Sequence, residues 1–104
     1  MSLRHPAAQA ERDANHGEIV ARYQSQLCKV YDTSKVGGGF PDTVVRITTC
    51  GGHVLQLVEI KTADGSLSAS QARFFDEWGV GQCVVVRTIA DVDAHVERVR
   101  GRYR

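Results

Sequence analysis

The sequence predicts an α/β domain in which a mixed central β-sheet is flanked by helices, in the order α-β-β-β-α-β-α. Three observations carry this. Two stretches rich in β-branched residues, Asp42 to Thr49 and His53 to Lys61, flank Gly51-Gly52, the signature of a tight hairpin. Apolar residues recur at helical spacing both before and after that hairpin. Finally, Cys83-Val84-Val85-Val86-Arg87 is a nearly continuous apolar run, as a strand covered on both faces requires. With 104 residues the chain has room for one domain and not for two.

Residues 1–14 are small or polar and carry Pro6, so they read as an N-terminal arm. Asn15 and Glu18 form an Asn-x-x-Glu capping box, and Ile19, Val20, Tyr23 and Leu27 follow at helical spacing. The first helix is therefore expected from near Glu11 or His16 to about Leu27. Cys28 to Thr33 reads as a short strand. The loop from Ser34 to Pro41 holds Gly37-Gly38-Gly39 and is too glycine-rich for regular structure. After the hairpin, Ser68-Ala69-Ser70-Gln71 is a second capping box, opening a helix through Trp78. Ala72, Phe75 and Trp78 share one face of it, and Phe74, Phe75 and Trp78 are expected in the core. The last helix spans Ala90 to about Val99, with Val92, Val96 and Val99 on one side.

Apolar residues make up 42% and charged residues 24%, an ordinary globular balance. The net charge of +1 gives no global attraction to nucleic acid. Basic residues nevertheless crowd the end of the chain. Arg98, Arg100, Arg102 and Arg104 make residues 100–104 a basic tail suited to phosphate contacts. The three cysteines, Cys28, Cys50 and Cys83, are odd in number and lack CxxC spacing, which excludes a disulfide scaffold. No apolar stretch approaches the roughly 20 residues that span a bilayer, and no apolar run follows Met1. A cytoplasmic protein without membrane contact is expected, in a cell or a phage-infected host.

The chemistry is concentrated in Pro41-Asp42 and Glu59-Ile60-Lys61. Glu59 and Lys61 lie two apart on a strand and so share a face. A two-residue turn at Gly51-Gly52 pairs Cys50 with His53, which sets Asp42 opposite Lys61 and Val44 opposite Glu59. Paired residues share a face, so Asp42, Glu59 and Lys61 converge at one end of the hairpin. Two carboxylates and an ammonium in one patch suit metal-assisted phosphodiester hydrolysis. Mg²⁺ takes one or two carboxylates and keeps several waters, with Mn²⁺ able to substitute. The Ile60 carbonyl is a further oxygen ligand at the strand edge, and Lys61 is placed to stabilise charge developing on the phosphate.

The run GGGFPD, then VEIK, then LSASQ resembles the PD-(D/E)XK nuclease superfamily, and within it the virus-type replication-repair nucleases (VRR-NUC), relatives of Holliday-junction resolvases. The resemblance extends from Glu18 to about Val86. It implies the PD-(D/E)XK core, a metal held by Asp42 and Glu59, and Lys61 as the catalytic lysine. It further implies that Glu18 on the first helix is an outer carboxylate of the site. Gln71 should stand close to the metal or the DNA backbone, and Ser34 matches a loop serine of the resolvases. The implied activity is a Mg²⁺-dependent DNA endonuclease acting on branched or structured DNA. A chain this short makes few contacts with a duplex, so a homodimer is expected. Lys35 and Arg73, together with Arg98, Arg100 and Arg102, are the candidate DNA contacts.

Two other classes compete. A nuclease-fold module that binds nucleic acid without cutting it would be expected to have lost one of Asp42, Glu59 and Lys61. A zinc-stabilised interaction module would draw on Cys50 and His53 with Cys28 and Cys83, but these lack a second ligand pair in sequence. Asp42 alone reads as a turn residue before a strand, and Glu18 and Gln71 read equally as capping residues.

Overall fold

The computed structural model describes residues 6–79 and 81–103, with side chains from Asn15 onward. The first helix, α1 (Pro6–Ser25), starts well before the position read from the sequence. Proline is pre-organised for the first helical position, and Ala7, Ala8, Gln9, Ala10 and Glu11 are strong helix formers, so nothing stops the helix before Asn15. The expected arm is thus helical from Pro6, residues 1–5 lie outside the described residues, and the Asn15/Glu18 pair is mid-helix, not a cap. Leu27 closes the helix in a left-handed conformation (φ 65°), and Cys28 N–H donates to the Tyr23 carbonyl at 3.1 Å. Leu27 is accordingly 81% exposed instead of buried.

Four strands follow in spatial order β1 (Lys29–Asp32), β2 (Thr43–Thr49), β3 (Gly52–Ile60) and β4 (Cys83–Val86). The first three pair antiparallel, whereas β4 runs parallel to β3 after the crossover through α2 (Ala69–Trp78). The sheet is therefore mixed, and the element order is the one read from the sequence. The hairpin register differs. Thr49 pairs with Gly52 and Thr43 with Val58, so the turn residues are Cys50-Gly51, not Gly51-Gly52. Gly52 takes φ +115°, which suits glycine at the first position of β3 and moves the turn back by one residue. The pairing shifts by two residues, an even number, so every side chain keeps its face.

One face of the sheet carries the core. Thr43, Val45 and Ile47 of β2 and Gln56, Val58 and Ile60 of β3 are buried with Ile19 and Tyr23 of α1. Val92, Val96 and Val99 of α3 (Ile89–Gly101) complete it. Within this core Tyr23 Oη lies 2.7 Å from His95 Nδ1, and His95 Nε2 lies 3.0 Å from Gln56 Oε1. An amide oxygen only accepts, so Nε2 carries the proton and Nδ1 accepts from the tyrosine. The opposite face is far less covered: Tyr31 and Leu55 are 44% and 61% exposed.

The second helix does not join the core as expected. None of its residues is buried; Phe74 stacks on Trp78 with centroids 5.5 Å apart and meets Phe40 edge-on at 5.3 Å. Its start is nonetheless fixed, because the Ser68/Gln71 capping box forms with both hydrogen bonds present. A capping box that the sequence reading passed over, Thr88/Asp91, opens α3.

The loop before β2 packs against the start of α2 at Gly39. This residue has φ +85°, and a Cβ there would sit 2.3 Å from the Ser70 carbonyl oxygen. Gly38, with φ +65°, faces open space. Both replacements by alanine carry the left-handed backbone cost of about 1–2 kcal/mol. Only Gly39→Ala adds the collision with α2, so urea unfolding should show it clearly less stable than Gly38→Ala; equal losses would mean that the contact with Ser70 yields freely.

Candidate active site

Asp42 and Glu59 meet at the open end of the β2–β3 hairpin. One step beyond the Thr43–Val58 pair, they face each other directly, in place of the expected pairing of Asp42 with Lys61. Each carboxylate is held by the backbone of the opposite strand. Asp42 N–H donates to Glu59 Oε1 at 3.2 Å, and Ile60 N–H donates to Asp42 Oδ1 at 3.1 Å. The buried Thr43 hydroxyl donates to the Val58 carbonyl at 2.7 Å and fixes the register immediately beside them.

Three further elements close on this pair. Lys61 Nζ stands 3.7 Å from Glu59 Oε2, and Gln71 Nε2 donates to the same oxygen at 3.2 Å. Gln71 is thus both the third residue of a capping box and a partner of Glu59. From α1, Asn15 Nδ2 donates to the Lys61 carbonyl at 3.1 Å, while His16 Nδ1 approaches Asp42 Oδ2 at 3.8 Å. Lys61 N–H donates to the Val86 carbonyl at 3.0 Å. The Arg87 guanidinium bonds the carbonyls of Thr62 (2.8 Å) and Gly65, pinning the loop that leaves the lysine.

The side chains are graded in exposure: Glu59 5%, Lys61 20%, Asp42 23% and His16 34%. Burial pushes Glu59 up to about 7, and the neighbouring Asp42 charge adds to it, against the opposing pull of Lys61. Burial also raises Asp42, opposed by the Ile60 amide and by His16. Two desolvated carboxyls facing each other resist ionising together, and one lysine does not balance two charges. A divalent cation meets that condition with hard oxygen donors. Among the described residues, no three His, Cys, Asp or Glu side chains are arranged to hold a metal as they stand. Glu59 is instead turned toward the Asp42 amide, Lys61 and Gln71.

Of the residues singled out in the sequence, Asp42, Glu59, Lys61, Gln71 and the Ile60 backbone come together. Glu18 is exposed on α1, and the α1 residues in contact with the site are Asn15 and His16. Ser34 bonds Asp32 Oδ1 through both its N–H (2.8 Å) and its hydroxyl (2.6 Å), shaping a loop whose groove is lined by Asp32, Thr33, Lys35 and Val36. Arg73 is exposed on α2.

The basic tail has a different organisation from the expected one. Arg98 and Arg100 belong to α3. Arg100 Nε donates to the Thr48 carbonyl at 2.9 Å and its terminal nitrogen to the Gln26 carbonyl at 2.6 Å, so it ties helices and hairpin together. Thr48 lies six residues along β2 from Asp42, roughly 20 Å at strand rise. Tyr103 packs on Gly51, which anchors the end of the chain at the turn. Arg104 lies outside the described residues. His16 and Arg87 were missed by the sequence reading. The signal for His16 was its place one turn before Ile19 and two before Tyr23, on the core-facing stripe of α1.

Comparison with known proteins agrees with this geometry. The family model of the VRR-NUC domain matches residues 5–84. A solved structure described as a VRR-NUC domain superposes with a TM-score of 0.61 at 24% identity, covering 83% of this chain and 94% of that one. Among curated proteins nothing matches.

The raised carboxyls make a pH prediction. Between the ordinary glutamate value and about 7, the folded metal-free protein binds more protons than the unfolded chain. Stability contributed at Glu59 is therefore fully present at low pH and is lost as pH rises through 7. Thermal midpoints measured from pH 5 to 8 should show the wild type losing ground to Glu59→Gln, whose amide does not ionise. Parallel curves would contradict the placement of a desolvated carboxylate here.

Proposed function

The chain belongs to the VRR-NUC family, a nuclease-type fold, and on that premise we propose that it is a metal-dependent DNA endonuclease. The observation that carries this reading is the directly opposed pair Asp42 and Glu59 with Lys61 against Glu59. Asp42 and Glu59 bind Mg²⁺, with Mn²⁺ able to replace it, and the Ile60 carbonyl is the further oxygen donor. A divalent ion held there would supply Lewis-acid activation of the scissile phosphate and of a water. Lys61 orients that water and stabilises charge gathering on the phosphate oxygens in the transition state. Gln71 holds Glu59 in place from the start of α2. Asn15 and Arg87 fix the carbonyls of Lys61 and Thr62, and the Lys61 N–H is held by the Val86 carbonyl, which together limit the wandering of Lys61.

The substrate proposed is branched or structured DNA, such as a four-way junction or flap, met in replication, repair or recombination in the cytoplasm of a cell or phage-infected host. Lys35, Ser34 and Arg73 are the proposed contacts nearest to this chemistry, with exposed Arg98 and Arg102 as more distant phosphate contacts. A homodimer suits such a substrate, and the exposed Tyr31 and Leu55 on the less covered sheet face give a second copy apolar surface to meet. No described helix is long and apolar enough to cross a membrane.

Labelled junction, flap and linear duplex incubated with Mg²⁺ should be cut, and EDTA should stop the cutting. Lys61→Ala should lower the single-turnover rate by roughly 10²–10³, the scale of losing one transition-state donor, with metal affinity little changed. Glu59→Gln should abolish cleavage and keep DNA binding. Cutting that survives EDTA, or a Lys61→Ala rate near wild type, would overturn the assignment. Binding without cutting by the wild type would identify a binding module.

A further inference from the structure

His16 belongs to no part of the nuclease motif, yet α1 delivers it to Asp42. The two oxygens of Asp42 are unequally used. Oδ1 accepts the Ile60 N–H, whereas Oδ2 faces the imidazole at 3.8 Å. That distance is too long for a hydrogen bond. Adjacent donors each about 2.1 Å from a cation stand about 3.0 Å apart. The observed gap is wider than that by under 1 Å, a distance that a turn of the part-exposed imidazole closes. His16 is also 34% exposed, so solvent and ions reach it.

We infer that His16 is a third side-chain ligand beside the Ile60 carbonyl, giving a site with two carboxylates and one imidazole that favours Mn²⁺ over Mg²⁺. The inference rests on the proposal that Asp42 and Glu59 hold a divalent cation. Imidazole is a borderline donor that suits transition ions, while Mg²⁺ prefers oxygen and keeps its waters. Closing the set requires Glu59 to turn away from Lys61 and Gln71, and the gain of an ion between the carboxylates is the natural driving force for that turn. The position read from the family motif as an outer carboxylate, Glu18, is exposed and leaves this corner of the site to the imidazole.

Pulsed EPR of Mn²⁺ bound to the full chain at pH 8, with Kd values for Mn²⁺ and Mg²⁺ by titration, tests this without any measurement of activity. Wild type should show ¹⁴N modulation from a directly bound imidazole, and His16→Gln should lose it. The variant should bind Mn²⁺ roughly tenfold more weakly or worse, with a smaller change for Mg²⁺. A histidine that is only an ion-pair partner of Asp42 gives the opposite sign: no ¹⁴N signal in wild type, and unchanged or tighter Mn²⁺ binding in His16→Gln. That result would overturn the inference and leave the carboxylate site standing. Asp42→Asn distinguishes the two levels, because Mn²⁺ binding indifferent to it would bring down the metal site itself and the ligation by His16 with it.

Discussion

The reciprocal grip between two strand ends is the interaction on which the site depends. The Asp42 amide holds Glu59, and the Ile60 amide holds Asp42, so each carboxylate replaces a ladder partner where the hairpin opens. This exchange exists only in one register. Moving the pairing by a single residue would send Glu59 to the other face and separate the two groups. The buried Thr43–Val58 hydrogen bond and the alternation of Val45 and Ile47 into the core hold that register from within.

Much of the remaining structure braces this strand end. The core formed by α1 and α3 covers one sheet face and fixes the axis of α1, which brings Asn15 and His16 to the end of β3 and to Asp42. On the other side, α2 contributes no buried residue, but its capping box presents Gln71 to Glu59. Arg87 leaves β4 and ties down the loop after Lys61. A buried carboxylate with two donors and one nearby ammonium is satisfied enough to fold, while its burial and the facing Asp42 still disfavour its charged form.

Much of this was legible in the sequence. The β-branched runs and glycines gave the hairpin, and the element order followed from periodicity. Asp42, Glu59 and Lys61 could be grouped because strand periodicity of two tolerates an even error in the turn. The turn itself, Cys50-Gly51 with Gly52 left-handed, was not legible, since Gly51-Gly52 permits more than one two-residue turn. The start of α1 was misread because Asn15-x-x-Glu18 imitates a cap, while the alanine-rich run before it carries the helix back to Pro6. His16 carried only a partial signal, its place on the core-facing stripe of α1. A helix reaches its neighbours by tertiary packing, and no local pattern says which turn of α1 passes Asp42. Nor does any local pattern say that Arg100 reaches the carbonyls of Thr48 and Gln26.

The proposed nuclease chemistry requires that Asp42 and Glu59 form one cation site. Crystals grown with Mn²⁺ and measured at a wavelength where manganese scatters anomalously test it most directly. One strong anomalous peak is expected between the two carboxylates, about 2.2 Å from an oxygen of each, with Glu59 rotated off Lys61. A map with no peak there at saturating Mn²⁺, and with Glu59 still bonded to the Asp42 amide, would contradict it.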